Sequence, residues 1–456
     1  MLIGHKLEMM ILQEYYKRQG NPVLLIHGRK GIGKTTLVKE FISEHPHFYY
    51  LGADCCEKEQ LHLLQQIWGE KSGYEMLPDN ITSVLNDVLN EADLGQKFVL
   101  VLDECDRIFK NSDTFVEEFI DMLKKVAGKN RFMVLLLTSD IMAVEDGKNQ
   151  KMQKLLSFVT RSIPLKEYQF TDIVSFFQGC PTEQNIAAYG ILGGVPAYLR
   201  LWDTKEDVRS NIIRLFLRQD GKLRCEAAQY LRLYLRELSS YNSVLAAMAD
   251  GNIRLHDLYE RTGFSRAKVS VYIKNLIQIK VARKISIYGP EKKDAMLKGL
   301  YEITDPLLHF WYRFVFPNET ALEEGKAEWV YDTKIAPYLE EYLHTCFVRV
   351  CEQFMHLMNR CGKLPIKITS ILPWYGEQGS IPIMASDEEG HLITCFCKWS
   401  EEPFDEKNLE TELRYLLVTG FEPDYYFLFS KSGFSKQLTA KAEMVNSIML
   451  IDLTDF

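Results

Sequence analysis

Apolar runs that alternate with helical stretches organise the first third of the chain. Val23–His27, Phe98–Leu102 and Phe132–Leu137 are almost continuously apolar, as expected for strands that are buried on both faces of a parallel sheet. The stretches Thr36–Glu44 and Phe115–Val126 have helical patterns. This alternation predicts an α/β domain in which helices cover both faces of a parallel sheet.

Helices are expected to replace strands after Arg161. The helical pattern extends from about residue 170 to residue 238. Clusters of glycine and proline typically end helices, and two such clusters interrupt this region, Gly179-Cys180-Pro181 and Gly193-Gly194-Val195-Pro196.

The segment that follows combines short helices with one alternating strand. Helices are predicted over Leu255–Thr262 and Arg266–Gln278, and an alternating strand over Lys280–Tyr288 ends at the turn Gly289-Pro290. This order predicts a winged helix-turn-helix whose wing turns at Gly289 and Pro290.

The last part of the chain is expected to be a second α/β or α+β unit. A linker is predicted near Phe316-Pro317-Asn318, and a helix over Tyr338–Asn359. Four strands are then predicted, at Ile366–Ile371, Ile381–Ser386, Leu392–Lys398 and Tyr425–Phe429.

Composition narrows the function classes. The sequence has 456 residues and a net charge of -8, which argues against a protein coated by nucleic acid but allows a local basic patch. No run of eighteen apolar residues and no signal peptide is recognised, so we expect a cytoplasmic protein without a membrane segment. The ten cysteines lack the paired spacing of a zinc ribbon and are expected to be reduced thiols.

The sharpest chemical signal lies between the first strand and the first helix. The segment fits the pattern of Gly, four residues, Gly, Lys and Ser or Thr. Its glycines let backbone N–H groups point at phosphate oxygens, and the next helix directs its positive dipole end at the same anion. Lys34 is expected to reach the β- and γ-phosphates, and the Thr35 hydroxyl to ligate Mg²⁺. The sequence thus predicts a P-loop site for ATP and Mg²⁺ over Gly28, Arg29, Lys30, Gly31, Ile32, Gly33, Lys34, Thr35 and Thr36.

Two other strands end in polar residues that belong at the same end of the sheet. Asp103 and Glu104 follow the second apolar run, and parallel sheets bind ligands at the carboxyl ends of their strands. Asp103 is expected to hold Mg²⁺, commonly through water, and Glu104 to polarise the attacking water. An acidic pair after a strand is also common in solvated turns, but the upstream loop favours the functional interpretation. Thr138 or Ser139, after the third run, either senses the γ-phosphate or caps the next element.

These features together resemble the archaeal-type P-loop ATPases, which are AAA+-related proteins of the STAND class. The resemblance rests on the phosphate loop, Asp103-Glu104, the run from Gly193 to Tyr198 and the segments 301–306 and 310–315. It implies a P-loop ATPase core at residues 1–168, a helical lid at 169–238, a winged helix at 239–316 and a restriction-endonuclease-like domain at 317–456. It further implies that Gly194 and Pro196 pack near the adenine, with a plain interhelical break as the alternative.

Three basic residues are interpreted through the same resemblance. His5 and Lys6 stand where the family has Arg and Glu in a segment close to the base, which weakens the expected base contacts. Arg161 is a candidate for a phosphate-sensing arginine, with a structural salt bridge as the alternative. No arginine finger is assigned.

The resemblance also implies that the nuclease-like domain is inactive. The family pattern is Glu-Ile-Asp on one strand and Glu-Cys-Lys-Trp on the next, in which the carboxylates hold a metal ion. Pro382 and Phe396 stand at the Asp and Glu positions here, although Lys398 remains. Neither can ligate Mg²⁺, so nuclease activity is not expected. Asp387, Glu388 and Glu389 are expected to form a solvated hairpin turn.

Basic residues of the predicted winged helix leave the partner open. Arg266, Lys268 and Lys274 lie on or beside the predicted recognition helix, and Arg283, Lys284, Lys292 and Lys293 on or near the wing. They suit DNA phosphates, whereas winged helices of related ATPases also dock proteins. We therefore expect an ATP-driven switch coupled to an unknown protein partner or to DNA. The alternative is a DNA-binding regulator that uses ATP as a ligand with negligible turnover.

Overall fold

The computed structural model describes residues 4–73, 78–91, 96–110, 112, 114–128, 131–289, 299–376 and 379–456. The chain divides into two compact units, Met1–Glu167 and Tyr168–Phe456. Within the described part of the chain, no helix has the length and apolar character needed to span a bilayer.

A parallel sheet forms the centre of the N-terminal unit. Among the described residues its strand order is β2-β3-β4-β1-β5, and every neighbouring pair is parallel. The strands are β1 Val23–His27, β2 His47–Leu51, β3 Phe98–Asp103, β4 Phe132–Thr138 and β5 Arg161–Pro164. The three predicted strands are confirmed as β1, β3 and β4. The two strands that were not predicted, β2 and β5, lie at the edges and are only partly buried, so they lack a continuous apolar run.

Helices cover both faces of this sheet, as predicted. On β1, Leu24 and Ile26 face one apolar cluster, which includes Leu37, while Leu25 faces the other, which includes Leu64. Alternate side chains of a strand point to opposite faces, so the sheet separates two cores. The described helices of this unit are Lys6–Lys17, Lys34–Ile42, Glu57–Ser72, Ile81–Asn90, Cys105–Lys110, Phe115–Val126, Ile141–Glu145 and Gln150–Phe158.

The second unit begins with helices, which are interrupted at the two predicted glycine-proline clusters. Gly194 cannot carry a side chain, because a Cβ atom there would lie 2.1 Å from the Tyr168 carbonyl oxygen. The Tyr168 N–H donates to the Gly194 carbonyl at 2.8 Å. The described elements up to residue 232 are Phe170–Phe176, Thr182–Leu192, Pro196–Leu199, Val208–Ile212, the π-helical turn Ile213–Leu217 and Glu226–Arg232.

Three helices and a short antiparallel pair of strands follow. The helices are Ser239–Ala249, Leu255–Thr262 and Arg266–Gln278, and the strands are β6 Ala282–Lys284 and β7 Tyr301–Ile303. Of the strand predicted over 280–288, residues 282–284 pair with β7, and the Ile285 N–H donates to the Leu300 carbonyl just beyond them. Pro290, Lys292 and Lys293 of the predicted wing lie outside the described residues.

The predicted linker at residues 316–318 is wrong, because Phe316–Asn318 is a 3-10 turn inside a helical run. Pro317 stands in the first turn of that element, where a missing N–H group is tolerated. The run comprises Pro306–Phe310, Trp311–Val315, Phe316–Asn318 and Glu319–Glu323, and it is followed by Ala327–Val330, Tyr331–Ile335 and Ala336–Arg360.

A mixed sheet forms the C-terminal part. Among the described residues its order is β12-β11-β10-β9-β8, antiparallel from β8 to β10 and parallel from β10 to β12. The strand predicted at 366–371 begins only at Ser370, because the Asn359 side chain bonds both backbone groups of Ile368 and keeps it in a loop. The elements are β8 Ser370–Tyr375, β9 Ser380–Ser386, β10 Leu392–Lys398, Glu406–Thr419, β11 Tyr425–Ser430, Lys436–Met444 and β12 Ile448–Asp452.

Candidate nucleotide site

The phosphate loop joins β1 to the helix Lys34–Ile42. Gly31 and Gly33 have φ angles of 84° and 104°, a region that residues with a side chain rarely adopt. Gly28 is required for another reason, since a Cβ atom there would lie 2.7 Å from the Leu165 carbonyl oxygen. The glycine spacing therefore follows from the backbone path that curls the loop in front of the helix.

Lys34 is held at the loop by three oxygen acceptors. Its Nζ atom donates to the carbonyls of Gly28 at 2.8 Å and Arg29 at 3.2 Å, and to Ser139 Oγ at 2.8 Å. The side chain is buried. Burial lowers the pKa of the Lys34 ammonium group, and the carboxylates of Glu104, Asp103 and Asp106 oppose that shift.

Asp103 and Thr35, the two predicted metal ligands, are in contact. Thr35 Oγ1 donates to Asp103 Oδ2 at 2.7 Å. Tyr49 donates to the same oxygen at 2.8 Å, and the Glu104 N–H donates to Asp103 Oδ1 at 2.9 Å. The Asp103 carboxylate is completely buried. A hydroxyl and a carboxylate oxygen in contact are the hard oxygen ligands that Mg²⁺ prefers, so these residues fit the metal.

Ser139 links the lysine to the second acidic residue. Its hydroxyl accepts from Lys34 Nζ at 2.8 Å and donates to Glu104 Oε1 at 2.6 Å. Glu104 has a φ angle of 50°, in the left-handed region, where residues with a side chain are uncommon and are often found at functional sites. Lys34, Ser139 and Glu104 thus form one hydrogen-bonded chain.

Thr138, the other residue considered as a sensor, is oriented differently. Its hydroxyl donates to Asp106 Oδ1 at 2.5 Å and accepts from the Asp140 N–H at 3.0 Å. Burial raises the pKa of the Asp106 carboxyl, and the hydrogen bond from Thr138 opposes that shift. Of the two adjacent hydroxyls, only Ser139 contacts Lys34.

The other residues of the predicted loop have separate environments. Arg29 is buried and forms an ion pair with Glu167 at 2.6 Å. Ile32 packs in the core beside the helix, whereas Lys30 and Thr36 are exposed. Within the predicted loop, the side chains of Arg29 and Ile32 are therefore buried in structural contacts, and those of Lys30 and Thr36 face solvent.

Of the three basic residues His5, Lys6 and Arg161, His5 contacts the phosphate loop. His5 Nε2 lies 3.1 Å from the Ile32 carbonyl oxygen, so His5 contacts the phosphate loop, while Lys6 is exposed. Arg161 pairs with Leu24, at the amino end of β1. It therefore lies three residues, roughly 10 Å along the strand, from the end of the sheet that carries the loop.

In the second unit, the predicted lid and recognition-helix residues can be placed but their roles stay predictions. Pro196 begins the helix Pro196–Leu199. Arg266, Lys268 and Lys274 are all exposed on the helix Arg266–Gln278. The Lys268 ammonium group lies 4.0 Å from the centre of the Phe264 ring.

The C-terminal sheet does not bring together a nuclease site at the predicted positions. Phe396 is 2% exposed and packs in an apolar cluster, and Pro382 lies on β9. Lys398 donates to the Pro403 carbonyl at 3.0 Å and to Asn408 Oδ1 at 2.9 Å.

In the acidic turn after β9, the Asp387 carboxylate is hydrogen-bonded within the turn. Asp387 accepts from the N–H groups of Glu389 and His391 and pairs with the His391 ring at 2.7 Å. The potential ligand atoms of these three side chains lie within 4.8 Å of one another. Such groupings are common in exposed acidic turns without a metal ion.

Two parts of the chain match models of known protein families. Residues 5–201 match a family described as an ATPase domain predominantly from Archaea, and residues 311–411 match one described as archaeal and bacterial proteins of unknown function. The expected resemblance to archaeal ATPases is thus confirmed for the N-terminal region, and it supports ATP binding and hydrolysis there. An uncharacterized protein of Methanocaldococcus jannaschii is 24% identical over 467 residues and is matched along the full length of both chains.

Comparison with solved structures matches the chain to two proteins at low identity. The Walker-type ATPase of Pyrococcus abyssi is 16% identical with a TM-score of 0.48, covering 68% of this chain and 96% of that chain. The ORC2 protein of Aeropyrum pernix, in complexes with ADPNP and ADP, is 16% identical with a TM-score of 0.45, covering 72% of this chain and 95% of its own.

Proposed function

We propose that this chain is an ATP-hydrolysing molecular switch of the AAA+-related STAND type. The observation that carries the proposal is the hydrogen-bonded group at the phosphate loop, in which Lys34 and Glu104 share the Ser139 hydroxyl while Thr35 and Asp103 contact each other. These residues come from three separate segments, and each has the chemistry that phosphoryl transfer needs.

Each member of the group has a separate role in the proposed reaction. Thr35 and Asp103 would hold Mg²⁺, which supplies charge neutralisation on the phosphate oxygens. Lys34 would exchange its carbonyl acceptors for the β- and γ-phosphate oxygens, with the loop N–H groups around them. Glu104 would orient a water molecule and accept its proton. Ser139 would report whether the γ-phosphate is present, because it contacts both Lys34 and Glu104.

The contacts of Arg29 support a route from the loop to the rest of the chain. Arg29 is paired with Glu167, the last residue of the N-terminal unit. The Leu165 N–H also donates to the His27 carbonyl at 2.8 Å, directly before the loop. We propose that a change in the loop is transmitted through residues 165–167 to a helical lid at residues 169–238, where Gly194 and Pro196 would pack near the adenine.

The remaining domains would pass the nucleotide state to a partner. In this proposal residues 239–316 are a winged helix and residues 317–456 an inactive nuclease-like domain. The apolar burial of Phe396 and the two hydrogen bonds of Lys398 support the loss of nuclease chemistry. Plasmid cleavage that requires Mg²⁺ would contradict this part of the proposal.

Isothermal titration of ATP into the full chain tests the central proposal. Lys34→Ala should lower ATP affinity by about 100-fold, because it removes charge-assisted bonds to two phosphates worth roughly 3 kcal/mol in total. Lys17→Ala, an exposed lysine in the same unit, is the matched control and should bind ATP as the wild type does. Normal ATP affinity of Lys34→Ala would refute the proposal.

A DNA-binding regulator with negligible turnover is the second candidate, favoured by the three exposed cations on the helix Arg266–Gln278. Gel shifts across a salt series test it, since each phosphate contact contributes about 0.9 to the slope of log affinity against log salt. Replacing Arg266, Lys268 and Lys274 with Ala should lower that slope by up to about 3. The control replaces Lys125, Lys205 and Lys407, which are exposed elsewhere, and an equal loss there would reject DNA contact by this helix.

A further inference from the structure

We infer that Tyr49 is a positioning residue for Asp103 and thereby sets the affinity of the site for Mg²⁺. The inference rests on the proposed ATPase function. Its starting observation is that the Tyr49 hydroxyl donates to Asp103 Oδ2 at 2.8 Å, the oxygen that also accepts from Thr35. The sequence motifs of the site do not include this tyrosine.

The direction of the Tyr49 side chain follows from β2. Phe48 and Tyr50 are buried on one face, while Tyr49 is half-buried and packs on the other, beside the helix that follows the phosphate loop. In the parallel pairing of β2 with β3, Tyr49 lies opposite Val101, two residues before Asp103. Residues two apart on a strand share a face, so the long phenol side chain reaches the carboxylate diagonally.

The hydrogen bonds of Asp103 leave its carboxylate one orientation. Oδ2 accepts two hydroxyl donors and Oδ1 accepts the Glu104 N–H at 2.9 Å. A completely buried carboxylate depends on such donors, since each charge-assisted bond contributes about 1.5–3 kcal/mol. Thr35 and Asp103 are the residues that would hold Mg²⁺, and the Tyr49 hydroxyl orients the carboxylate of the second of the two.

Loss of the Tyr49 hydroxyl should therefore act on Mg²⁺ binding and not on ATP binding as such. Outer-shell partners of metal ligands typically change metal affinity by about 10- to 100-fold when they are removed. The phosphate contacts proposed for Lys34 and the loop do not involve Tyr49. We expect Tyr49→Phe to raise by about tenfold the Mg²⁺ concentration at which half of the Mg²⁺-dependent change in ATP affinity is reached.

Tyr50 provides a matched control on the same strand. Its hydroxyl donates to Gln60 Oε1 at 2.5 Å and to the Gln60 carbonyl at 3.1 Å, on the opposite face of the sheet from Tyr49. Tyr50→Phe removes the same atom from the adjacent residue and also breaks buried hydrogen bonds. A general loss of structure in β2 would therefore appear in both variants.

The experiment is isothermal titration of ATP into the full-length wild type, Tyr49→Phe and Tyr50→Phe, first in EDTA and then across a series of Mg²⁺ concentrations. The inference predicts unchanged affinity in EDTA for Tyr49→Phe, with the Mg²⁺ response shifted about tenfold in this variant and unshifted in Tyr50→Phe. An Mg²⁺ response of Tyr49→Phe equal to that of the wild type would overturn it, as would equal shifts in both variants. Failure of the wild type to bind ATP at all would instead reject the proposed function on which the inference rests.

Discussion

Lys34 of the N-terminal unit and Lys398 of the C-terminal sheet have different hydrogen-bond partners. In the N-terminal unit, Lys34 shares Ser139 with the carboxylate Glu104, and Asp103 lies beside it with three hydrogen-bond donors. In the C-terminal sheet, Lys398 donates to a backbone carbonyl and an amide oxygen, and no carboxylate stands at the predicted metal positions.

The two lysines differ in their partners. Lys34, the first residue of the helix after the phosphate loop, is linked through Ser139 to a carboxylate, whereas Lys398, at the end of β10, donates to a backbone carbonyl and an amide oxygen. A buried carboxylate is costly unless donors satisfy it, and Asp103 has three donors: Tyr49 on β2, Thr35 on the helix after the loop and the backbone N–H of Glu104. The second sheet instead buries Phe396 within an apolar cluster, at the position where the family resemblance predicts a glutamate. One sheet retains a polar network and the other replaces it with hydrophobic packing.

Removing the proposed base should produce the largest effect at the first site. Glu104→Gln keeps the shape of the side chain but cannot accept a proton, and general-base catalysis typically contributes about 10²- to 10⁴-fold. We expect ATP turnover to fall by at least 100-fold while ATP affinity, measured by isothermal titration, is retained. Glu44→Gln, an exposed residue of the same unit, should leave turnover unchanged. Wild-type turnover in Glu104→Gln would show that Glu104 is not the general base.

Introducing a carboxylate at position 396 of the second sheet should not produce nuclease activity. Phe396→Glu places a charge among apolar side chains without donors, so we expect a loss of about 3 kcal/mol in the stability of the C-terminal part. Phe396→Leu, which keeps the position apolar, should cost about half as much or less. The unfolding midpoint monitors stability, and plasmid cleavage monitors activity. A stable Phe396→Glu protein that cleaves DNA with Mg²⁺ would show that this sheet still holds a site.

Sequence patterns predict the elements that are buried on both sides and miss those at the periphery. β1, β3 and β4 are central strands of almost continuous apolar residues, whereas β2 and β5 lie at the edges of the sheet and are only partly buried. Near residue 368, tertiary hydrogen bonds from Asn359 override a plausible strand pattern. Burial on both faces is visible in local sequence, but the position of a strand within its sheet is not.

At the candidate site, too, local motifs are visible in the sequence and tertiary contacts are not. The phosphate loop and the acidic pair are local motifs, and they were predicted. The choice between Thr138 and Ser139 depends on which face each side chain takes at the end of β4, which sequence does not fix. The contact of Tyr49 with Asp103 joins residues 54 positions apart, and no motif spacing reveals it.

The two adjacent hydroxyls at the end of β4 allow a finer test of the first network. Ser139→Ala removes the group that bridges Lys34 and Glu104, and we expect turnover to fall by about tenfold, since one such hydrogen bond is worth about 1.5 kcal/mol. Thr138→Val removes the donor to Asp106 and the acceptor for the Asp140 N–H, and it should lower stability more than turnover. Steady-state ATPase kinetics and thermal unfolding of both variants separate the two effects. A larger loss of turnover in Thr138→Val would reverse the assignment.

The smallest effect is expected from the lysine that the second sheet retains. Lys398→Met keeps the aliphatic length of the side chain and loses two partly exposed hydrogen bonds, to Pro403 and Asn408, so we expect a cost of about 1 kcal/mol in stability. ATP affinity and turnover should equal those of the wild type, because this lysine has a structural role. Unfolding midpoints and steady-state kinetics measure the two quantities. A loss of ATP affinity comparable with that expected of Lys34→Ala would mean that the second sheet takes part in ATP binding, and the contrast between the two lysines would no longer hold.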